Sequence, residues 1–288
     1  MNLIALLIPV IAMLQPAAPP KVEARLYAAH DPIRPGSQTE LAIELNVEEG
    51  WRLYHPVILD TGAPVSISFD APPGVGIGEL RFPAPVFSED QGLKCLTLEG
   101  RFVVVLTTMQ IAAEVEPGPL AIKAHISALA YKQLCVPVKV EATLVVKVAT
   151  STPAPANQKL FEDAREALPR PLLNSPYIEG SQVTVSKEKL ELDEQAEIVL
   201  TVRVRKGHHI LDRDPGTPDL IASRLFVEKI NGVRLDDQLW PDPHVRESEV
   251  FGKVREQTGE FKIRAPFALI DEKFPSGPVA LRVLFSYQ

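Results

Sequence analysis

Short runs of alternating apolar and polar residues predict that most of this chain forms β-strands. In segment 40–48, apolar residues at 41, 43, 45 and 47 alternate with Glu44 and Asn46, which is the period-two pattern of a half-buried strand. Further predicted strands cover 65–69, 101–108, 120–126 and 138–148. Clusters of Pro and Gly at 71–74, 82–85 and 117–119 separate them and favour turns. Many short strands with regular turn signals are typical of an antiparallel β-sandwich.

The pattern changes near residue 150. Residues 151–157 are rich in Pro and Ala, and apolar positions in 157–168 recur with helical spacing. Asn157 is the expected N-cap of this helix, and Pro169 is expected to end it. We expect the helix to pack between two domains. An amphipathic membrane helix is the alternative, although the segment is short and not basic.

The part of the chain after this helix repeats the part before it. Segment 33–51 aligns without a gap with 190–208, and the residues from 82 and 100 align with those from 240 and 259. Ser127 then aligns with Ser286. We therefore predict a sandwich over 21–149, a linker with a helix over 150–181, and a second sandwich over 182–288. The second copy stops before its counterpart of strand 138–148, which predicts an open sheet edge where another chain could pair, or a fragment of a longer protein.

The N-terminal segment predicts export. Residues 3–14 are nearly unbroken apolar, shorter than the roughly 20 residues that span a membrane and similar in length to the apolar core of a secretory signal peptide. No Lys or Arg precedes this run. We expect a signal peptide over 1–20 and a mature chain that is exported, in a bacterium to the periplasm. An uncleaved membrane anchor or a buried strand is the alternative.

Composition narrows the classes of function. The net charge is −7 and no basic patch is present, so nucleic acid is not an expected partner. Two cysteines are too few for a fold that is held together by disulfides, but in an oxidising compartment they can form one disulfide or carry out redox chemistry. No catalytic triad, phosphate-binding loop or zinc spacing supports a hydrolase. No cofactor and no metal are expected: His208 and His209, with Asp212 or His244, form only a weak metal candidate, because adjacent strand residues point to opposite faces.

Four segments resemble the N-terminal periplasmic domain of the thiol:disulfide interchange protein DsbD. They are GWRLY at 50–54, RFPAP at 81–85, LEGRF at 98–102 and CVP at 135–137. The tandem arrangement is similar to the ScsB-like branch of that family. The resemblance implies immunoglobulin-like sandwiches that carry reducing equivalents in the periplasm. It also implies periplasmic thioredoxin-like or disulfide isomerase partners, and a membrane electron-conducting domain on another or a continued chain.

The same resemblance identifies candidate catalytic cysteines. The family's loop carries two cysteines separated by three residues, and Cys135 matches the second of them, whereas Tyr131 occupies the position of the first. Tyr131 cannot attack a disulfide, so Cys95 is the expected partner thiol. It follows segment 88–92, which aligns with the family's cap loop. We expect Cys135 and Cys95 to be catalytic and close enough to form a disulfide.

Other interpretations of these residues remain open. Lys94 and Lys132 are expected to favour the thiolates, but a cysteine at the end of an apolar strand is also a common small core residue. Segment 249–253 resembles the cap loop better than 88–92 does, and both are alternatively plain hairpin turns. Trp51 and Tyr54 are expected to pack on a sheet face. The alternative function is a non-catalytic periplasmic immunoglobulin-like binding or structural module.

Overall fold

The computed structural model describes residues 20–90, 92–106 and 108–287, without the side chains of 90 and 102–106. Of the predicted signal peptide, all but residue 20 lies outside this range. The described residues form 22 strands, one α-helix and one 3₁₀-helix, and the strands in each sheet pair antiparallel. The predicted all-β fold is confirmed. No helix in the described part of the chain is long and apolar enough to cross a membrane.

The first sandwich contains thirteen strands. They are β1 (Val22–Ala28), β2 (Gln38–Thr39), β3 (Leu41–Val47), β4 (Arg52–Tyr54), β5 (Ser66–Asp70), β6 (Val75–Ile77), β7 (Leu80–Arg81), β8 (Val86–Asp90), β9 (Leu93–Glu99), β10 (Arg101–Leu106), β11 (Met109–Ile111), β12 (Gly118–Tyr131) and β13 (Cys135–Val148). One sheet has the order β1-β3-β10-β7 and a second the order β13-β12-β4-β9-β8, with β5 also on β12. A small third sheet has the order β2-β11-β6.

The two larger sheets enclose the core of the first sandwich. Ile43 and Leu45 on β3 face Leu53 on β4 and Leu98 on β9, and all four are buried in one cluster. The strand β12 forms a long hairpin with β13, in which every second residue of β12 from Leu120 to Ala130 is buried. This alternation is the pattern expected where one face of a sheet covers a core. It fixes which residues of the hairpin point away from the core.

The helix α1 (Gln158–Ala167) packs on the first sandwich. Its Phe161 and Ala164 are buried, and the carbonyl of its last residue accepts a hydrogen bond from the backbone N of Ala84, at 2.8 Å. Asn157 occupies the predicted N-cap position with φ 54°, but its side chain makes no capping hydrogen bond. Its Nδ2 instead donates to the carbonyl of Ala28, at 3.0 Å. Asn157 therefore ties the linker to β1.

The first strand of the second sandwich begins at Ile178, after a 3₁₀-helix over Leu172–Asn174. Its strands are β14 (Ile178–Val185), β15 (Gln195–Val204), β16 (Ile210–Leu211), β17 (Arg224–Val227), β18 (Val233–Leu235), β19 (His244–Ser248), β20 (Gly252–Gln257), β21 (Glu260–Leu269) and β22 (Val283–Ser286). They form sheets with the orders β14-β15-β21-β18, β16-β20-β19 and β17-β22. Among the described strands, β22 pairs only with β17, so one of its edges carries no strand.

The two sandwiches meet through an apolar contact. Phe226 on β17 packs in one cluster with Val57, Leu59 and Leu96 of the first sandwich. Beside this cluster, the backbone N of Lys229 donates to the carbonyl of Ile58, at 2.8 Å. The contact joins the outer face of the β17-β22 sheet to the β8–β9 hairpin and the segment that follows β4.

Candidate functional site

Both cysteines lie on the sheet β13-β12-β4-β9-β8. Cys135, the first residue of β13, pairs with Tyr131, the last residue of β12. Tyr131 pairs with Arg52 on β4, and Tyr54 pairs with Thr97 on β9. Paired residues share a face and residues two apart along a strand also share one. Cys135, Tyr131, Tyr54 and Cys95 therefore lie on a single face, which we call the thiol face.

The thiol face is opposite the core of the first sandwich. The residues that alternate with its members, Leu53, Leu98 and Ala130, are buried in the core cluster. The chain after β4 continues beside β9, since the backbone N of His55 donates to the carbonyl of Leu96 and that of Asp60 to the carbonyl of Lys94. The sequence thus places the cysteines on the outer side of a sheet whose other side is fixed by packing.

Cys135 has an exposed side chain at the end of the β12–β13 hairpin. Its neighbour Leu134 is 63% exposed, so the hairpin end presents an apolar residue beside the thiol. The interpretation of Cys135 as a buried core residue is therefore wrong. An exposed thiol is open to a protein partner, whereas buried thiols are generally inert.

The phenol of Tyr54 lies beside this thiol. Its hydroxyl oxygen is 4.0 Å from the Sγ of Cys135, and its ring stacks on that of Tyr131, with centroids 6.1 Å apart. Burial, followed by the negative charge and hydrogen bonding of Cys135, holds the pKa of Tyr54 well above its usual range. Because the pKa is raised, the hydroxyl of Tyr54 keeps its proton across the pH range in which thiols ionise.

Cys95 has a different environment. Its side chain is 3% exposed, and its Sγ lies 3.0 Å from the Oγ of Ser88, which faces it across the β8–β9 hairpin. Its strand β9 is flanked on one side by β8 and on the other by β4 and the segment that follows β4. Cys95 is therefore closed to a protein partner in this conformation.

The expected disulfide between Cys95 and Cys135 is not formed, and both are free thiols. The strands β12 and β4 lie between β13 and β9. At about 4.8 Å per strand, the Cα atoms are roughly 14 Å apart across the sheet, whereas a disulfide needs about 4.4–6.8 Å. The two residues share a face but are not neighbours, so the expectation of bonding distance is wrong.

The lysines expected near the thiols make other contacts. The ammonium of Lys132 lies over Gly50, where a Cβ atom would be only 2.9 Å from its Nζ. The backbone N of Lys94 donates to the Oδ2 of Asp60, at 2.9 Å. These contacts do not involve either sulfur.

The histidines of the second sandwich have structural partners. The ring of His208 packs on Tyr177, with centroids 5.3 Å apart. The Nε2 of His209 lies 3.5 Å from a carboxylate oxygen of the buried Glu256, which also accepts a hydrogen bond from Arg246, at 3.1 Å. Within the described ranges, no group of three or more His, Cys, Asp and Glu side chains could hold a metal ion.

Sequence reasoning missed the position of Tyr54. Trp51 packs in the core, as expected for a sheet-face residue, whereas Tyr54 lies on the opposite face, beside the thiol. The odd spacing of three residues between them is a signal that they occupy opposite faces, because side chains alternate along a strand.

The chain is similar to a protein family in sequence and to a solved structure in fold. Residues 22–147 match the family described as thiol:disulfide interchange protein DsbD, N-terminal. No curated protein matches the chain. The crystal structure of the N-terminal periplasmic domain of ScsB from Proteus mirabilis aligns with 92% of this chain and 91% of that chain, at 10% identity and a TM-score of 0.50. At this identity the likeness shows a shared fold.

A crystal structure of collagen adhesin from S. aureus covers 91% of this chain and 85% of that chain, at 9% identity and a TM-score of 0.16, which is too low to compare folds. The family match contains Cys135, Tyr131 and Tyr54 and spans the sheet that carries the thiol face except for Val148, the last residue of β13. Through residues 22–147 of its first sandwich, this chain is similar to the family of the N-terminal domain of the thiol:disulfide interchange protein DsbD.

Proposed function

We propose that this chain is a periplasmic thiol:disulfide interchange module that relays reducing equivalents to exported proteins through Cys135. The observation that carries the proposal is the exposed thiol of Cys135 at a hairpin end, within the residues that match the DsbD family. The apolar run at 3–14 supports export of the chain.

The reaction proceeds through a mixed disulfide. The thiolate of Cys135 attacks one sulfur of a partner's disulfide, so that a Cys135–partner S–S bond forms, the partner's own S–S bond breaks and its second sulfur leaves as a thiolate. A thiolate of a dithiol protein then attacks the Cys135 sulfur of this mixed disulfide, so that the Cys135–partner bond breaks and the partner's sulfur leaves as a thiolate. The second thiol of the dithiol protein attacks its own bonded sulfur, which forms that protein's disulfide and releases the thiolate of Cys135. Two electrons have then passed through Cys135 from the dithiol protein to the partner.

One thiol of this chain takes part in this scheme. Tyr131 occupies the position opposite Cys135, and Cys95 is buried and separated from Cys135 by two strands. The sequence-based assignment of Cys95 as a second catalytic residue has no support from its position. The resolving thiols must come from partners, for which thioredoxin-like or disulfide isomerase proteins, and a membrane electron-conducting domain as donor, have suitable chemistry.

Trapping the mixed disulfide tests the proposal. The probe is a thioredoxin-fold protein with a Cys-x-x-Ser site, whose remaining cysteine carries thionitrobenzoate. We expect release of thionitrobenzoate and a covalent one-to-one complex on non-reducing gels. Cys135→Ser should abolish both, whereas Cys95→Ser, the matched control, should retain both. Complex formation by the Cys135→Ser protein, or its loss in Cys95→Ser, would refute the role of Cys135.

A binding module without thiol chemistry is the second candidate. The observation that favours it is Tyr131, whose ring fills the place opposite Cys135 and stacks on Tyr54. Under this alternative, the Cys135→Ser protein would bind the thioredoxin-fold probe as tightly as the unaltered protein does in calorimetry, and neither would release thionitrobenzoate.

A further inference from the structure

We propose that Tyr54 is a positioning residue for Cys135, and that its hydroxyl donates a hydrogen bond to the thiolate. This inference deepens the proposed function and rests on it for its biological meaning. The two side chains come from different strands, β4 and β13, with β12 between them. The hydroxyl oxygen of Tyr54 reaches across β12 to a point 4.0 Å from the sulfur.

Packing fixes the ring of Tyr54 from two sides. The ring of Tyr131 stacks on it at an interplanar angle of 28°. Gly62, with φ +130°, lies so close that a Cβ atom there would be 2.6 Å from the Cδ1 of Tyr54. The side chain of Tyr54 is 5% exposed. Its hydroxyl is therefore placed by the fold, before any partner binds.

A fixed donor beside an exposed thiol favours the reactive form of that thiol. The thiolate is the nucleophile in disulfide exchange, and groups that hydrogen-bond to it increase the fraction of thiol that is ionised. A buried phenol that keeps its proton can donate a hydrogen bond to the sulfur, and it places no second negative charge beside the thiolate. The fixed ring also restricts the directions from which a partner disulfide can reach the sulfur.

Alkylation of Cys135 by iodoacetamide tests this inference without any redox partner. Rates are measured against pH in the Cys95→Ser protein, with and without Tyr54→Phe. We expect Tyr54→Phe to move the midpoint of the pH–rate profile to higher pH and to slow alkylation near neutral pH by about two- to tenfold, the size of one hydrogen bond. At high pH, where the thiol is fully ionised, the rate should not fall.

A further variant tests whether the position of the hydroxyl matters. Gly62→Ala should displace Tyr54 and move the midpoint in the same direction as Tyr54→Phe. An unchanged midpoint in Tyr54→Phe would overturn the inference. Circular dichroism and thermal unfolding check that each variant is folded.

The alkylation and trapping experiments test separate claims, so that either claim can fail while the other stands. If Tyr54→Phe shifts the profile but the thioredoxin-fold probe forms no mixed disulfide, the inference about Tyr54 stands and the proposed function fails. If the probe is trapped and the profile does not move, the proposed function stands and Tyr54 has only a packing role.

Discussion

The ring of Phe87, on β8 of the first sandwich, stacks on the ring of Phe226, on β17 of the second, with centroids 5.4 Å apart. The guanidinium of Arg224 lies over the ring of Phe87, 4.5 Å from its centroid. Phe87 pairs with Leu96, and the next pair along this hairpin is Ser88 and Cys95. The contact between the sandwiches therefore supports the reverse side of the hairpin that buries the second thiol.

Breaking this contact should make Cys95 reactive. Phe226→Ala removes a buried ring at a cost of about 3 kcal/mol, and we expect the β8–β9 hairpin to open more often. Labelling of Cys95 by a maleimide, followed by mass spectrometry, should become several-fold faster. Cys135 should label at an unchanged rate and serves as the internal control. Val245→Ala, at a half-exposed site in the second sandwich, is the matched control. Unchanged labelling of Cys95 in Phe226→Ala would mean that the contact does not hold the hairpin closed.

Hydrogen exchange should distinguish β22 from its counterpart β12. The strand β12 is paired with β13 on one side and with β4 and β5 on the other, whereas β22 pairs with β17 among the described strands. Amides without a second neighbouring strand open more readily. We expect faster exchange in peptides that contain β22 than in peptides that contain β12. Equal protection factors in the two sets of peptides would contradict this expectation.

His125 should make stability fall as the pH rises. Hydrogen bonding to Asp70, at 2.7 Å, and then the charges of Asp70 and Glu141 raise the pKa of His125. A raised folded-state pKa gives stability that is fully present below the unfolded value of about 6.5 and is lost as the pH rises through the folded value. Urea unfolding at about pH 5.5 and about pH 8 measures this difference. His125→Gln should reduce it, and an equal pH dependence in both proteins would refute the role.

His55 should have the opposite effect in acid. Burial, and then the positive charge of Arg282, lower its pKa to about 4, and its Nδ1 accepts a hydrogen bond from the backbone N of Val57, at 3.1 Å. Between about pH 6.5 and pH 4 the unfolded chain binds a proton that the folded chain does not, so stability falls by about 3 kcal/mol as the pH falls.

The variant His55→Asn isolates this effect, because its side-chain oxygen can still accept from Val57 but does not titrate in this range. Unfolding by urea at several pH values should show a smaller loss of stability in His55→Asn than in the unaltered protein. A loss of the same size in both proteins would show that other groups cause it.

The sequence predicted strands and their faces well, because alternation is a local property. The pattern around Glu44 and Asn46 identified β3. The sequence alone could not predict the separation of Cys95 from Cys135, because the order of strands in a sheet depends on contacts between distant segments. Asn157 shows a second limit: its residue type suits a helix cap, but its side chain bonds to Ala28 instead.

The contact made by Phe226 uses a surface whose aligned counterpart in the first sandwich is polar. Phe226 and Leu284 are cross-strand partners on the outer face of the second sandwich, and the alignment of Ser127 with Ser286 makes Ser68 and His125 their counterparts in the first. A head-to-tail contact of this kind can add further units indefinitely when each unit offers the same two surfaces. Here the first sandwich presents a serine and a charged histidine cluster where the second presents two apolar side chains. A second copy of this chain that approached the first sandwich at this position would therefore meet polar groups, which disfavours head-to-tail growth through the contact that Phe226 makes.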